Sequence, residues 1–291
     1  MEYNTIKGTG VALVTPFESN GDVDYSSLKK LVDHVICNGV DFVVAMGTTS
    51  EAATLSTKEK ESVLQIIIEE TDNRVPVVLG LGGNNTSVVV EDIKSRNFDK
   101  ITAILSVAPY YNKPSQEGMV AHFSAIAEAS PVPIILYNVP GRTSSNLSAD
   151  TVLLLAKKYK NIVAVKEASS DFTQIMEIVK NKPEGFTVLS GDDALTLPLL
   201  SIGMEGVISV VANALPEQMS MMIKETENGN CDEAKAIHYQ MLDLINALFE
   251  EGNPAGIKAA LKGLSVIEED QLRLPLVPAS ESLNKKILDL L

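Results

Sequence analysis

The 291-residue chain reads as an α/β protein: a closed (β/α)8 barrel with a C-terminal helical extension. Three observations predict this. Eight short apolar runs, rich in Val and Ile, recur along the chain, and near-continuous apolar runs suit strands buried on both faces of a parallel sheet. Amphipathic stretches with helical spacing lie between them, and strict alternation of this kind points to a parallel sheet wrapped by helices. The alternation stops near residue 228, after which only helical patterns follow. Alternation does not by itself establish closure, so an open doubly wound sheet remains the second architecture.

The predicted strands fall in order at 11–16 (VALVTP), 41–47 (DFVVAMG), 75–82 (VPVVLGLG), 101–109 (ITAILSVAP), 133–140 (PIILYNVP), 162–169 (IVAVKEAS), 186–193 (FTVLSGDD) and 206–213 (GVISVVAN). The first helix, 25–38, carries Leu28, Leu31, Val32 and Val35 on one stripe. The second, 57–70, carries Val63, Leu64, Ile67 and Ile68, and Ser56 with Glu59 three positions on forms a capping-box pattern. Further helices are expected at 87–96, 116–129, 149–159, 172–181, 194–202 and 216–228. The domains are therefore 1–228, the TIM-type barrel, and 229–291, an extension with helices at 231–251, 254–264 and 280–291. No Ser/Gly linker precedes the extension, so it should pack on the barrel.

Composition narrows the function classes. Lys and Arg number 24 against 38 Asp and Glu, a formal charge of −14. Such a chain lacks the basic face that a phosphate-backbone binder needs, so nucleic acid is not an expected partner. An anionic substrate would need a local positive charge. No stretch approaches the roughly 20 apolar residues of a membrane span, and MEYNTIKGTG has no leader pattern; a cytoplasmic protein is expected. Cys37 and Cys231 are read as reduced, buried thiols. His34, His122 and His238 lack metal-ligand spacing.

In barrels of this kind the chemistry sits at the C-terminal ends of the strands. The unusual polar residues gather there: GTTSE (47–51), PYYN (109–112), YNVPGR (137–142), Lys166 in IVAVKEA, and SGDD (190–193). Lys166 interrupts an apolar strand, where an ammonium is costly to bury. A lysine held away from water is a better amine nucleophile, hence a Schiff-base candidate for a carbonyl substrate. The plainer reading pairs it with Glu167 or another carboxylate. Tyr137 could move protons through hydroxyls of Thr48, Thr49 and Tyr111, although the threonines could equally serve the turn. Arg142 offers a planar fork for a carboxylate, or a surface ion pair. Asp192 and Asp193 suit capping better than metal binding, and LGLGGNN lacks the third glycine of a dinucleotide fingerprint.

GTTSE, PYYNKPSQEG, LYNVPGRT, VKEAS and LSGDD, in this order and spacing, resemble the dihydrodipicolinate synthase family of the N-acetylneuraminate lyase, or class I aldolase, superfamily. The resemblance spans essentially the whole chain. It implies condensation of pyruvate with L-aspartate 4-semialdehyde to 4-hydroxy-tetrahydrodipicolinate, in diaminopimelate and lysine biosynthesis. It implies Lys166 as the imine-forming lysine, Tyr137 as proton donor and acceptor, and Thr48 and Tyr111 as its relay, Tyr111 from a neighbouring subunit. Thr49 would hold the pyruvate carboxylate, Arg142 that of the semialdehyde, and Gly191 and Ile208 would line the substrate pocket. No metal or nucleotide cofactor is implied. The family is commonly a homotetramer built as a dimer of dimers. Ser50 departs from the glycine common in the family. Lys60 and Val88 stand where lysine-regulated relatives have a histidine and a glutamate, with Asn84 and Tyr110 retained; this implies weak or absent lysine inhibition. Two other readings stay open at this level: a related aldolase of 2-keto-3-deoxy sugar acids or sialic acid, against which Arg142 argues, and a non-catalytic keto-acid-binding barrel.

Overall fold

The eight apolar runs do form strands, and the computed structural model, which describes residues 6–291, closes them in chain order into a parallel barrel. The strands are β1 (Gly8–Ala12), β2 (Phe42–Ala45), β3 (Val77–Gly80), β4 (Ala103–Val107), β5 (Ile134–Asn138), β6 (Ile162–Glu167), β7 (Thr187–Ser190) and β8 (Gly206–Ser209). Closure decides against the open sheet. The first five residues, part of the stretch read for a leader, lie outside the described residues. Among those described, no helix is long and apolar enough to cross a membrane.

β1 begins three residues before the expected run. Its opening GTG holds no apolar side chain to signal a strand, and packing explains why. A Cβ on Gly10 would come within 2.2 Å of the Phe42 ring, and one on Gly8, at φ +74°, within 2.1 Å of the Asp41 carboxylate. The neighbouring strand's side chains fill the space, so the strand is written in glycine.

The chain divides into two compact units. One is Pro76–Ile208 with Ile6 and Lys7; the other is Gly8–Val75 with Ser209–Leu291. The first holds β3 to β8 with α3 (Thr86–Ser95), α4 (Gln116–Ala129), α5 (Pro140–Thr143), α6 (Ala149–Lys158), α7 (Phe172–Asn181) and α8 (Thr196–Ser201). Its strands are buried on both faces, with Ile104, Ile135, Val165 and Val188 fully inaccessible. α5 is an addition to the expected elements, a single turn started by Pro140 at its first position.

The second unit holds β1 and β2, paired Gly10 to Phe42 and Val11 to Val43, with α1 (Tyr25–Cys37) and α2 (Thr57–Thr71). The Ser56–Glu59 capping box at α2 is complete in both directions. The same unit contains α9 (Pro216–Glu227), α10 (Cys231–Phe249), α11 (Ala255–Gly263) and α12 (Glu281–Leu290). The units thus group the helical extension with the chain's first two strands. α11 lies tightly on α10, because a Cβ on Gly256 would fall 2.4 Å from the Leu248 carbonyl oxygen. Both cysteines are exposed and free, which corrects the buried-thiol expectation. Each stands at a helix end, Cys37 closing α1 and Cys231 opening α10, where the core stripe has run out.

Candidate active site

In the first unit, parallel register builds the centre. Val107, Tyr137, Lys166 and Leu189 are successive partners across β4, β5, β6 and β7. Side chains alternate along a strand, so these four share one face, and the odd-step neighbours Asn138, Glu167 and Ser190 share the other. Lys166 is 5% exposed and Tyr137 7%. Lys166 Nζ stands 4.5 Å from the centroid of the Tyr137 ring, a cation–π contact.

Glu167 is not the counter-ion of its neighbour. Its Oε1 accepts from Asn138 Nδ2 (2.5 Å) and Gln174 Nε2 (3.1 Å), and its Oε2 from Ser169 Oγ (2.5 Å). Burial pushes the Glu167 carboxyl above its ordinary range, opposed by these hydrogen bonds. Asn138 Oδ1 in turn accepts from the Leu147 amide (2.9 Å). This outer network locks the β5 and β6 ends from behind, while Tyr137 and Lys166 face the other way. Among the described residues Lys166 forms no ion pair.

Gly191 follows β7 and presses on the same lysine. Its N–H donates to the Glu167 carbonyl (2.7 Å), and a Cβ there would lie 2.9 Å from Lys166 Cε and 2.7 Å from Ala168 Cβ. Next to it, Asp192 Oδ1 accepts from the Ala194 and Leu195 amides, so this carboxylate caps the following turn. Ile208 is buried in β8, 1% exposed. Arg142 lies exposed on α5 and enters no ion pair among the described residues. Tyr111 is 88% exposed, with φ +72°, a backbone region that a tyrosine seldom adopts. Its loop is pinned to Asn84, which donates to the Tyr110 carbonyl (3.1 Å) and accepts from Asn112 Nδ2 (3.0 Å).

In the second unit, residues Thr48–Ser50 form a 3-10 turn after β2. Thr48 is exposed and Thr49 is 3% exposed. Ser50 turns inward, its Oγ donating to the Gly47 carbonyl (2.7 Å) and its carbonyl accepting from Thr15 Oγ1 (2.7 Å). The serine therefore braces the turn and leaves the threonines free of it. Glu51, at φ +55°, pairs with Lys258 of α11 at 2.6 Å, and both are wholly buried. Lys258 also donates to the Gln271 carbonyl (2.8 Å), and the Arg273 amide donates to Glu51 Oε2 (3.1 Å). Lys258 Nζ and the Arg273 guanidinium both lie against the Phe17 ring. Burial pulls Lys258 down to about 8, with Glu51 opposing. Asn253 Nδ2, just before α11, donates to Thr49 Oγ1 (2.9 Å).

The sequence reading missed Asn253, Lys258 and Arg273. One signal was present: a lysine inside the apolar helical run AGIKAAL, the same kind of interruption that marked Lys166.

The dihydrodipicolinate synthetase family model matches residues 5–291. A protein of Flavobacterium psychrophilum named 4-hydroxy-tetrahydrodipicolinate synthase is 50% identical over 280 residues, 96% of this chain and 95% of that protein. Among solved structures, a dihydrodipicolinate synthase of Acinetobacter baumannii complexed with pyruvate is 40% identical with a TM-score of 0.94, covering 98% of each chain. A monomeric dihydrodipicolinate synthase variant is 39% identical with a TM-score of 0.96, covering 99% of this chain and 96% of that one. With identity of this order along nearly its full length, the chain belongs to the dihydrodipicolinate synthetase family.

Proposed function

We propose that this chain is a 4-hydroxy-tetrahydrodipicolinate synthase, a lyase that condenses pyruvate with L-aspartate 4-semialdehyde in the diaminopimelate and lysine pathway. The observation that carries the reading is Lys166, buried at the end of β6 with its ammonium over the Tyr137 ring and no carboxylate partner among the described residues. Family membership and the names of the relatives support it.

Once its proton has passed to solvent, Lys166 Nζ attacks the pyruvate ketone as the free amine, and loss of water leaves a protonated imine. The imine cation acidifies the methyl group, whose proton leaves through Tyr137 and its relay, and the carbon of the resulting enamine attacks the semialdehyde's aldehyde. The semialdehyde's amine then closes the ring and releases the lysine. Tyr137 passes the protons, with Thr48 and the Tyr111 hydroxyl as relay. Thr49 takes the pyruvate carboxylate and Arg142 that of the semialdehyde, while Gly191 and Ile208 shape the pocket. The covalent imine supplies the electron sink without metal or nucleotide.

The exposed, positive-φ Tyr111 suits a residue offered to a second subunit, and a cytoplasmic homotetramer is the assembly we infer. Sedimentation of an active monomer overturns the shared site. Lys60 and Val88 stand where the resemblance puts a histidine and a glutamate in lysine-regulated relatives, and neither a cation nor an apolar side chain supplies an acceptor for a cationic effector, so we infer that lysine inhibition is weak or absent. The central test is borohydride reduction in the presence of pyruvate, read by mass spectrometry. An adduct on Lys166, absent from Lys166→Ala, is expected; an untrapped wild-type protein refutes the reading.

A further inference from the structure

We propose that Asn253 of the C-terminal extension is a positioning residue that sets the direction of the Thr49 hydroxyl, making it a donor toward the substrate carboxylate. The inference rests on the reading of Thr49 as the pyruvate-carboxylate ligand, and deepens it.

A threonine hydroxyl has one proton and two acceptor lone pairs. Left alone it can donate to an anion or accept from a solvent proton, and only the first recognises a carboxylate. Asn253 Nδ2 donates to Thr49 Oγ1 at 2.9 Å, with the two residues 7% and 3% exposed. That bond uses a lone pair and leaves the proton for a different acceptor. A buried hydroxyl with one lone pair taken by a protein donor is thereby biased toward donating its proton. The donor is held firmly. Five residues on, Lys258 of α11 is anchored in the buried Glu51 ion pair, and Glu51 closes the turn that carries Thr49. Asn253 and Lys258 therefore reach the same loop, one at the Thr49 hydroxyl and one at the carboxylate of Glu51, where the turn ends. In this arrangement the extension acts on the loop that binds substrate as well as on the stability of the fold.

Two substitutions separate polarity from packing. Asn253→Leu keeps similar volume and removes the donor. Asn253→Asp keeps the shape and presents only acceptor oxygens, so Thr49 must donate inward and a negative charge is added beside the carboxylate position. The readout is the pyruvate concentration that half-saturates borohydride trapping at Lys166, with the trapping rate at saturation and Tm measured alongside. Asn253→Leu is expected to raise the half-saturating concentration about three- to tenfold, and Asn253→Asp by more, with the saturated rate within about threefold of wild type. In a Thr49→Val background, Asn253→Leu should have no further effect. A loss of Tm with unchanged pyruvate dependence overturns the proposal, as does an Asn253→Asp effect no larger than that of Asn253→Leu. If Asn253→Asp does not fold, Asn253→Leu alone decides, and a wild-type pyruvate dependence overturns the idea. Wild-type protein that is not trapped by pyruvate removes the functional reading itself; trapped wild type with indifferent Asn253 variants removes only this inference.

Discussion

Gly191→Ala adds a single methyl group against Lys166, the proposed imine-forming residue. The new Cβ would sit 2.9 Å from Lys166 Cε, 2.7 Å from Ala168 Cβ and 3.2 Å from the Glu167 carbonyl oxygen. Carbon atoms rest at about 3.5–4.0 Å, so the contact with Lys166 is short by about 0.6–1 Å. Ala168 Cβ is fixed to the backbone and cannot give. The backbone at residue 191 must therefore shift to relieve that contact, while the lysine Cε, near the end of a flexible chain, gives way as well, so the side chain that carries Nζ is displaced. Overpacking of this degree costs about 1–3 kcal/mol, a fall in Tm of about 2–12 °C for a protein of this size. A reacting atom misplaced by about 1 Å loses on the order of 10²-fold in rate. Thermal melts combined with steady-state rates on both substrates test this, with kcat expected to fall by one to two orders of magnitude. A folded Gly191→Ala protein with kcat within threefold of wild type would show that the lysine accommodates the methyl group and would refute the reasoning.

Three further expectations follow from other parts of the structure. Lys258→Met leaves Glu51 charged and buried, which should cost about 3–5 kcal/mol; denaturant unfolding should show Glu51→Leu/Lys258→Met recovering most of the loss, and a double variant no more stable than the single one counts against the account. His122 is buried with Nδ1 at 2.9 Å from Thr86 Oγ1 and is held down to about 4 by burial. Its folded value lies below the unfolded 6.5, so the unfolded chain takes the proton first and stability falls as pH drops from 6.5 toward 4. The loss approaches about 3 kcal/mol, and His122→Gln should flatten urea-unfolding stability between pH 6.5 and 4.5; an equal slope in both proteins refutes this. Finally, the synthase rate should resist lysine, and half-inhibition below about 1 mM, the upper range of ordinary metabolite binding, would defeat the regulatory reading.

Much of the architecture was legible because strands buried on both faces announce themselves as apolar runs, and Lys166 stood out as a charge in such a run. β1 was displaced for the opposite reason: its first and third residues are glycines, made necessary by the side chains of Asp41, just before the adjacent strand, and Phe42, its first residue. The cysteines misled because a small apolar residue type says nothing about which helix end it will occupy.

The sequence by itself determined the eight βα units, the strand-end positions of the candidate site residues and, through their order, the family. Tertiary structure alone decided that Glu167 faces an Asn138–Ser169–Gln174 network rather than its neighbour Lys166, that Gly191 is pressed on the lysine, and that Asn253 and Lys258 return some two hundred positions later to hold Thr49 and Glu51. The physical reason is range. Hydrophobic periodicity and strand-end position are local properties of the chain, whereas the partner of a buried polar group is whatever the fold brings within hydrogen-bond distance of it.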